Sequence, residues 1–293
     1  DAIEEKALGE GLTGVPTGFK QIDELTFGLQ KGNLIIIGAR PSVGKTSFGL
    51  NIATHIATVA NQPALIFSLE MSRLELTQRI LCAEAKVDSQ KIGNRRMSED
   101  DWVRIHKGFG NLDQAPIYID DNPGISIMEI RAKARRLKSR IGNLGVIVVD
   151  YLQLMTGRST AESRQVEISE ISRGLKLLAR DLDTPVIGIS QLSRSLESRQ
   201  DKRPMLSDLR ESGSIEQDAD LVMFIYRDEI YNPESSQMGI AEINLAKNRN
   251  GPVDRVRLAY MPNFTKFATL SRRDDESDSA IPKAGSINEP GNF

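Results

Sequence analysis

Residues 35–53 read "IIIGARPSVGKTSFGLNIA". Three isoleucines run into a loop bounded by Gly38 and Gly44, Lys45 and Thr46 follow, and apolar residues then recur at helical spacing. A strand that turns through such a loop into a helix is the setting of the phosphate-binding pattern G-x-x-x-x-G-K-[ST]. Gly38 reads as its opening glycine. The binding run is then Gly38, Ala39, Arg40, Pro41, Ser42, Val43, Gly44, Lys45, Thr46 and Ser47. Glycines let backbone N–H groups converge on phosphate oxygens, and the helix N-terminus adds partial positive charge. Lys45 is placed to reach the β- and γ-phosphates, and the Thr46 hydroxyl to ligate Mg²⁺.

Outward from this loop, short β-rich apolar runs alternate with helical patterns. They are "NLIIIG" 33–38, "ALIFSLE" 64–70, "PIYID" 116–120, "GVIVVD" 145–150, "PVIGIS" 185–190 and "DLVMFIY" 220–226. Strands apolar on both faces, separated by helices, predict an α/β domain around a mainly parallel sheet. Near the end, "IAEINLAK" 240–247 and "VDRVRLAY" 253–260 alternate with period two around "NRNG", which predicts a C-terminal β-hairpin. Residues 271–293 are polar and aperiodic and read as a flexible tail. Residues 1–13 read as a short helix and linker before a domain spanning 14–270.

Bulk properties narrow the function classes. In 293 residues, 38 Lys and Arg nearly balance 40 Asp and Glu, so any nucleic-acid surface must be local. The single cysteine, Cys82, excludes an intramolecular disulfide and fits a reducing cytoplasm. No apolar run approaches the ~20 residues that span a membrane, and the acidic "DAIEEKALGE" is unlike a secretory signal. A cytoplasmic protein without a membrane partner is expected. His55 and His106 read as ordinary helix or surface residues.

Hydrolysis needs more than a phosphate loop. Asp150 ends the hydrophobic run "GVIVVD", where a carboxylate can hold Mg²⁺ beside the loop. A base or water-positioning group is also required. Glu70, in "ALIFSLEMS", competes with Asp120 and Asp121 in "IYIDDNP", and pattern alone leaves the choice open. Gln191, in "PVIGISQLSR", could sense the γ-phosphate from another strand end. The basic stretch "RAKARRLKSR" 131–140 carries Ile127, Ile130, Ala134, Leu137 and Ile141 at helical spacing, so it reads as an amphipathic helix with a solvated face.

Six ordered motifs, "GARPSVGKT", "FSLEMS", "VVDYLQL", "ISQLSR", "DLRESGSIEQDAD" and "AKNRNGP", closely resemble the motor domain of DnaB-type replicative DNA helicases, a RecA-like ATPase family. The resemblance implies a RecA-like P-loop NTPase core in a homo-hexameric ring, moving 5′ to 3′ on single-stranded DNA with ATP or another NTP and Mg²⁺. It assigns catalysis to Glu70, the metal to Thr46 and Asp150, and sensing to Gln191. Lys247 and Arg249 become a finger reaching the neighbouring subunit's γ-phosphate. Arg210, Glu211 and Gly213 fall in the loop that faces DNA. The family carries an N-terminal collar and a linker helix, for which "DAIEEKALGE" is short, so an isolated motor domain is expected. Loader and primase contacts would belong to the full-length protein, in a bacterium or in the bacterial host of a phage. A strand-exchange protein and a nucleotide-gated switch or kinase are the competing readings of the same core.

Overall fold

A strand apolar at every position belongs in a sheet covered on both faces, and the predicted runs take that place except at 117–120, an edge strand whose residues are only half-buried. The computed structural model describes residues 12–156, 163–209 and 213–270. Strands β1 (Leu34–Ala39), β2 (Ala64–Ser68), β3 (Ile117–Asp120), β4 (Val146–Asp150), β5 (Val186–Gln191) and β6 (Leu221–Tyr226) pair in parallel. The strands β7 (Ile240–Asn248), β8 (Arg255–Met261) and β9 (Lys266–Thr269) continue the sheet antiparallel from β6. Strand order is β3-β2-β4-β5-β1-β6-β7-β8-β9. Every residue of β1, β2, β4 and β6 is buried, whereas β7 and β8 alternate, as a sheet with one wet face requires.

Alternate residues of β1 feed two cores. Ile35 and Ile37 pack with Phe48, Ile52 and Ile56 of helix α2 (Lys45–Thr58), while Leu34 and Ile36 face the other layer. That layer is built from α6 (Ile127–Ile141) and α7 (Arg164–Asp181), through Ile130, Leu137, Ile171 and Leu175. The remaining helices are α1 (Lys20–Thr26), α3 (Arg73–Ala85), α4 (Ser89–Gly93), α5 (Glu99–Asp113) and α8 (Gly213–Asp218).

Helix α6 has the amphipathic character that its spacing predicts, and several of its basic residues are engaged within the fold. Arg131 and Arg135 pair with Asp181, Lys133 pairs with Asp120 at 2.6 Å, and Lys138 donates to the Leu182 carbonyl. The hairpin turn is wider than a two-residue connection. The β7–β8 register runs to Asn244 and Arg255, Leu245 N–H still donates to the Asp254 carbonyl at 2.8 Å, and the Asn248 amide spans the loop to the Pro252 carbonyl. Most of the predicted linker segment and the whole predicted tail lie outside the described residues.

Candidate active site

The parallel register brings distant segments to one edge. Ser68 lies beside Asp150, Asp150 beside Ile189, and Ala39 beside Gln191. The C-terminal edge of such a sheet is where α/β folds bind ligands. There a cleft of about 370 Å³ is lined by the phosphate loop together with Glu70, Met71, Arg79, Gln191, Tyr260 and Thr265.

Helix α2 opens into this cleft. Gly44 is its N-cap at φ 113°, a left-handed conformation natural to glycine, and offers no side-chain cap. The first backbone N–H groups of α2 are therefore free of a side-chain cap and available to an anion. Two details of the predicted loop need correction. Five residues separate Gly38 from Gly44, one more than the pattern allows, so its opening position falls on Ala39. Gly38 lies within β1, where a Cβ would stand 2.8 Å from the Phe224 ring and 3.0 Å from Leu192. It makes room for packing, not for phosphate. Arg40 turns away from the cleft: its buried guanidinium donates to the Leu192 carbonyl and pairs with Glu197, both at 2.8 Å. Behind the loop, Arg227 lies over the Tyr260 ring at 4.2 Å and donates to the Ser42 and Val43 carbonyls.

Asp150 is almost fully buried, and one carboxylate oxygen accepts from the Thr46 hydroxyl at 2.6 Å. Its other oxygen, Oδ1, is buried with no hydrogen-bond partner, and Lys45 Nζ stands 3.9 Å away. Burial pushes the carboxyl pKa upward, opposed chiefly by Lys45 and the Thr46 hydroxyl. A buried carboxylate oxygen without a partner beside a hydroxyl is a donor set that fits a hard divalent cation. Lys45 is itself placed between two carboxylates, 3.4 Å from Glu70, and lies over the Tyr151 ring at 4.8 Å. Burial, with Glu70 and Asp150 adding to it, raises the Tyr151 pKa.

Glu70 is half-exposed and set by a local turn. The Ser68 hydroxyl donates to the Met71 carbonyl and accepts from the Met71 N–H, and Leu69 N–H donates to the Asp150 carbonyl. Its competitors are engaged elsewhere. Asp120 pairs with Lys133, and Asp121 accepts from the Arg73 N–H at 2.8 Å at the start of α3, which lowers its pKa. Lys45, Thr46, Glu70 and Gln191 thus line one cleft, with Asp150 buried beneath it against Thr46.

Lys247 and Arg249 do not join them. Lys247 pairs in register with Val222, and Val222 with Ile36, so they sit toward the opposite edge of the parallel strands. Ile36 is three residues short of the end of β1, about 10 Å at ~3.3 Å per residue. Lys247 donates to the Glu216 carbonyl at 2.5 Å and Arg249 to the Gln217 carbonyl at 2.7 Å, both at the end of α8. Arg249 also pairs with Asp220 at 3.4 Å. Arg210 and Glu211 lie outside the described residues. Gly213 opens α8 with no heavy atom within 4 Å of its Cβ position, so the fold itself does not require a glycine there.

Sequence reasoning missed Arg79, Met71, Tyr260, Thr265 and Gln153. Arg79 lies two turns along α3 from its Ser72 cap, a signal available in "SRLELTQR". Tyr260 and Thr265 reach the cleft only through the β8–β9 fold, which no local pattern announces. Gln153 contacts the backbone of Gln191.

Comparison with known proteins places this geometry. Residues 14–269 match the model of the DnaB-like helicase C terminal domain. The chain is 55% identical over 267 residues to the replicative DNA helicase DnaB of Geobacillus stearothermophilus, covering 91% of this chain and 59% of that protein. It is 52% identical over 284 residues to the replicative DNA helicase DnaC of Bacillus subtilis, covering 96% and 62%. The chain thus spans about three fifths of the length of the curated relatives it matches. Among solved structures, an isolated ATPase domain superposes with a TM-score of 0.87 at 41% identity, covering 92% of this chain and 96% of that one. A DnaB-like replicative helicase described with its primase interactions gives 0.87 at 40% identity, covering 92% and 67%. With the family model spanning nearly all the described residues, the chain belongs to the DnaB-like helicase C-terminal domain family.

Proposed function

We propose that this chain is the NTP-hydrolysing motor of a replicative DNA helicase, a hexameric ring that moves 5′ to 3′ along single-stranded DNA and unwinds the duplex ahead. The observation that carries this reading is the contact between Thr46 and Asp150 at 2.6 Å, with Lys45 between Asp150 and Glu70. It supports a site that binds a nucleoside triphosphate. The loop N–H groups cradle the phosphates, and Lys45 leaves its carboxylate partners for the β- and γ-phosphates. Thr46 and Asp150 would hold Mg²⁺, which would supply neutralisation of charge on the phosphate oxygens. Glu70 orients and deprotonates the attacking water, and Gln191 contacts the γ-phosphate end of the cleft.

Lys247 and Arg249 act on the site of the next subunit. Their place toward the far edge of the sheet supports that role, because neither approaches the phosphate loop of its own chain. Arg210, Glu211 and Gly213 are the proposed DNA contacts. Arg210 pairs with DNA phosphates, and the absence of aromatic residues from "SDLRESGSIEQDAD" favours backbone tracking without base stacking. The domain is taken to run from 14 to 270, preceded by the linker segment and followed by the tail. In the full-length protein, loader and primase are the expected partners, in keeping with the primase interactions described for one structurally similar helicase. Among the described residues no helix is long and apolar enough to cross a membrane, and action in the bacterial cytoplasm is part of this proposal.

ATP turnover measured against protein concentration, with and without single-stranded DNA, tests the reading. Specific activity that rises with concentration and again with DNA is expected. Turnover indifferent to DNA, from a verified hexamer, would overturn it.

A further inference from the structure

Strand β4 leaves the sheet at Asp150, opposite Ile189, so the last two residues of β5, Ser190 and Gln191, extend past their neighbour on that side. Leu192 N–H donates to the Ala39 carbonyl, so residue 192 faces β1, and the backbone groups of Gln191 face the side that β4 has vacated. A side chain occupies that side. Gln191 N–H donates to Gln153 Oε1 at 3.2 Å, and Gln153 Nε2 donates to the Gln191 carbonyl at 3.1 Å. Nε2 also donates to Ser190 Oγ at 2.9 Å. A primary amide presents one acceptor and two donors in a single plane, so it reproduces the pairing that a further strand residue would give.

Gln153 is itself held in place. It sits in the short 3-10 turn Leu152–Leu154, three residues beyond Asp150. Leu152 is fully buried against β5, where a Cβ on Gly188 would lie 3.2 Å from it. The Gln153 carbonyl accepts from Arg164 at 2.6 Å, at the start of α7. The turn that follows the proposed metal carboxylate therefore fixes the backbone from which Gln191 projects into the cleft.

We infer that Gln153 is a positioning residue for hydrolysis, its amide holding the Gln191 backbone so that the Gln191 side chain meets the γ-phosphate in register with Asp150. The inference rests on the reading of Gln191 as the group that senses that phosphate. Gln153 touches no substrate and acts through Gln191, so its contribution exists only while Gln191 is present.

A double-mutant cycle on DNA-stimulated ATP turnover tests this. Gln153→Ala is expected to lower kcat about tenfold, about 1.4 kcal/mol, with KM changed less than about twofold. In a Gln191→Ala background the same change is expected to cost less than about twofold. Gln153→Glu serves as the second variant, similar in size and checked for folding by its thermal midpoint. It keeps the acceptor for Gln191 N–H but sets an oxygen against the Gln191 carbonyl, so the same loss is expected. An equal loss in both backgrounds, or wild-type turnover from Gln153→Glu, overturns the positioning role while leaving Gln191 its own. If Gln191→Ala alone leaves turnover unchanged, the sensor reading fails and the inference falls with it.

Discussion

Replacing Asp150 by Asn is expected to stabilise the nucleotide-free protein while abolishing turnover. In the folded chain the carboxylate is buried, with Oδ1 lacking any hydrogen-bond partner, and burial raises its pKa above the ordinary 3.8. A buried polar atom left unpaired costs about 1–3 kcal/mol. The amide keeps a carbonyl oxygen to accept from the Thr46 hydroxyl, and although its NH₂ group inherits the unpaired position beside Lys45, it carries no charge to desolvate, so the gain comes from the charge alone. It forfeits attraction to Lys45, which at 3.9 Å is looser than the contact Lys45 keeps with Glu70 at 3.4 Å. A net gain of about 1 kcal/mol follows, or roughly 2–4 °C in Tm for a domain of this size.

The sign with pH is fixed by the raised pKa. The burial penalty exists where the carboxylate is ionised, and it fades as pH falls through the folded pKa toward 3.8. The difference between variant and parent should therefore be present at neutral pH and shrink on acidification. Saturating Mg²⁺ and ATP should reverse the order, because ligand at about 100 times Kd stabilises the parent by about 2.7 kcal/mol and the variant lacks the carboxylate. Thermal unfolding across pH, with and without nucleotide and metal, reads all three effects. A variant less stable than the parent at neutral pH without nucleotide would instead show the carboxylate to be net favourable in the absence of its cation.

Two further outcomes are expected. Lys45→Ala should eliminate turnover and leave Glu70 without the cation that faces it; wild-type turnover in a steady-state assay would remove Lys45 from the site. Gly38→Ala should destabilise by about 1–3 kcal/mol through overpacking, because its Cβ would meet the Phe224 ring at 2.8 Å; a denaturant midpoint unchanged from the parent would count against the packing role.

Much of the fold was legible because its signals are local. Buried parallel strands print continuous apolar runs, and "LIIIGA", "ALIFS", "VIVVD" and "LVMFIY" each lie in β1, β2, β4 and β6 in full. The phosphate loop was legible for the same reason, although counting it from Gly38 confused a packing glycine with the pattern's first position. The choice among Glu70, Asp120 and Asp121 was not, because all three follow strands and only tertiary contacts separate them. Lys133 and the Arg73 N–H occupy the two aspartates, while the Ser68 turn aims Glu70 at Lys45. Arg40 misled through its place in the loop, since its Glu197 partner lies 157 residues away. Tyr260 and Thr265 were invisible because they arrive at the cleft from the antiparallel end of the sheet, whose last strand, β9, is only four residues long.

On the proposed function, each hydrolytic site is completed by the neighbouring subunit. Turnover by mixed hexamers of Glu70→Ala and Arg249→Ala subunits, with co-assembly verified by cross-linking, tests this. Each variant alone should be inactive. Random mixing in equal amounts should place an intact Glu70 against an intact neighbouring Arg249 at about one site in four, so activity should return. Verified mixed rings that stay as inactive as either pure variant would contradict a shared site.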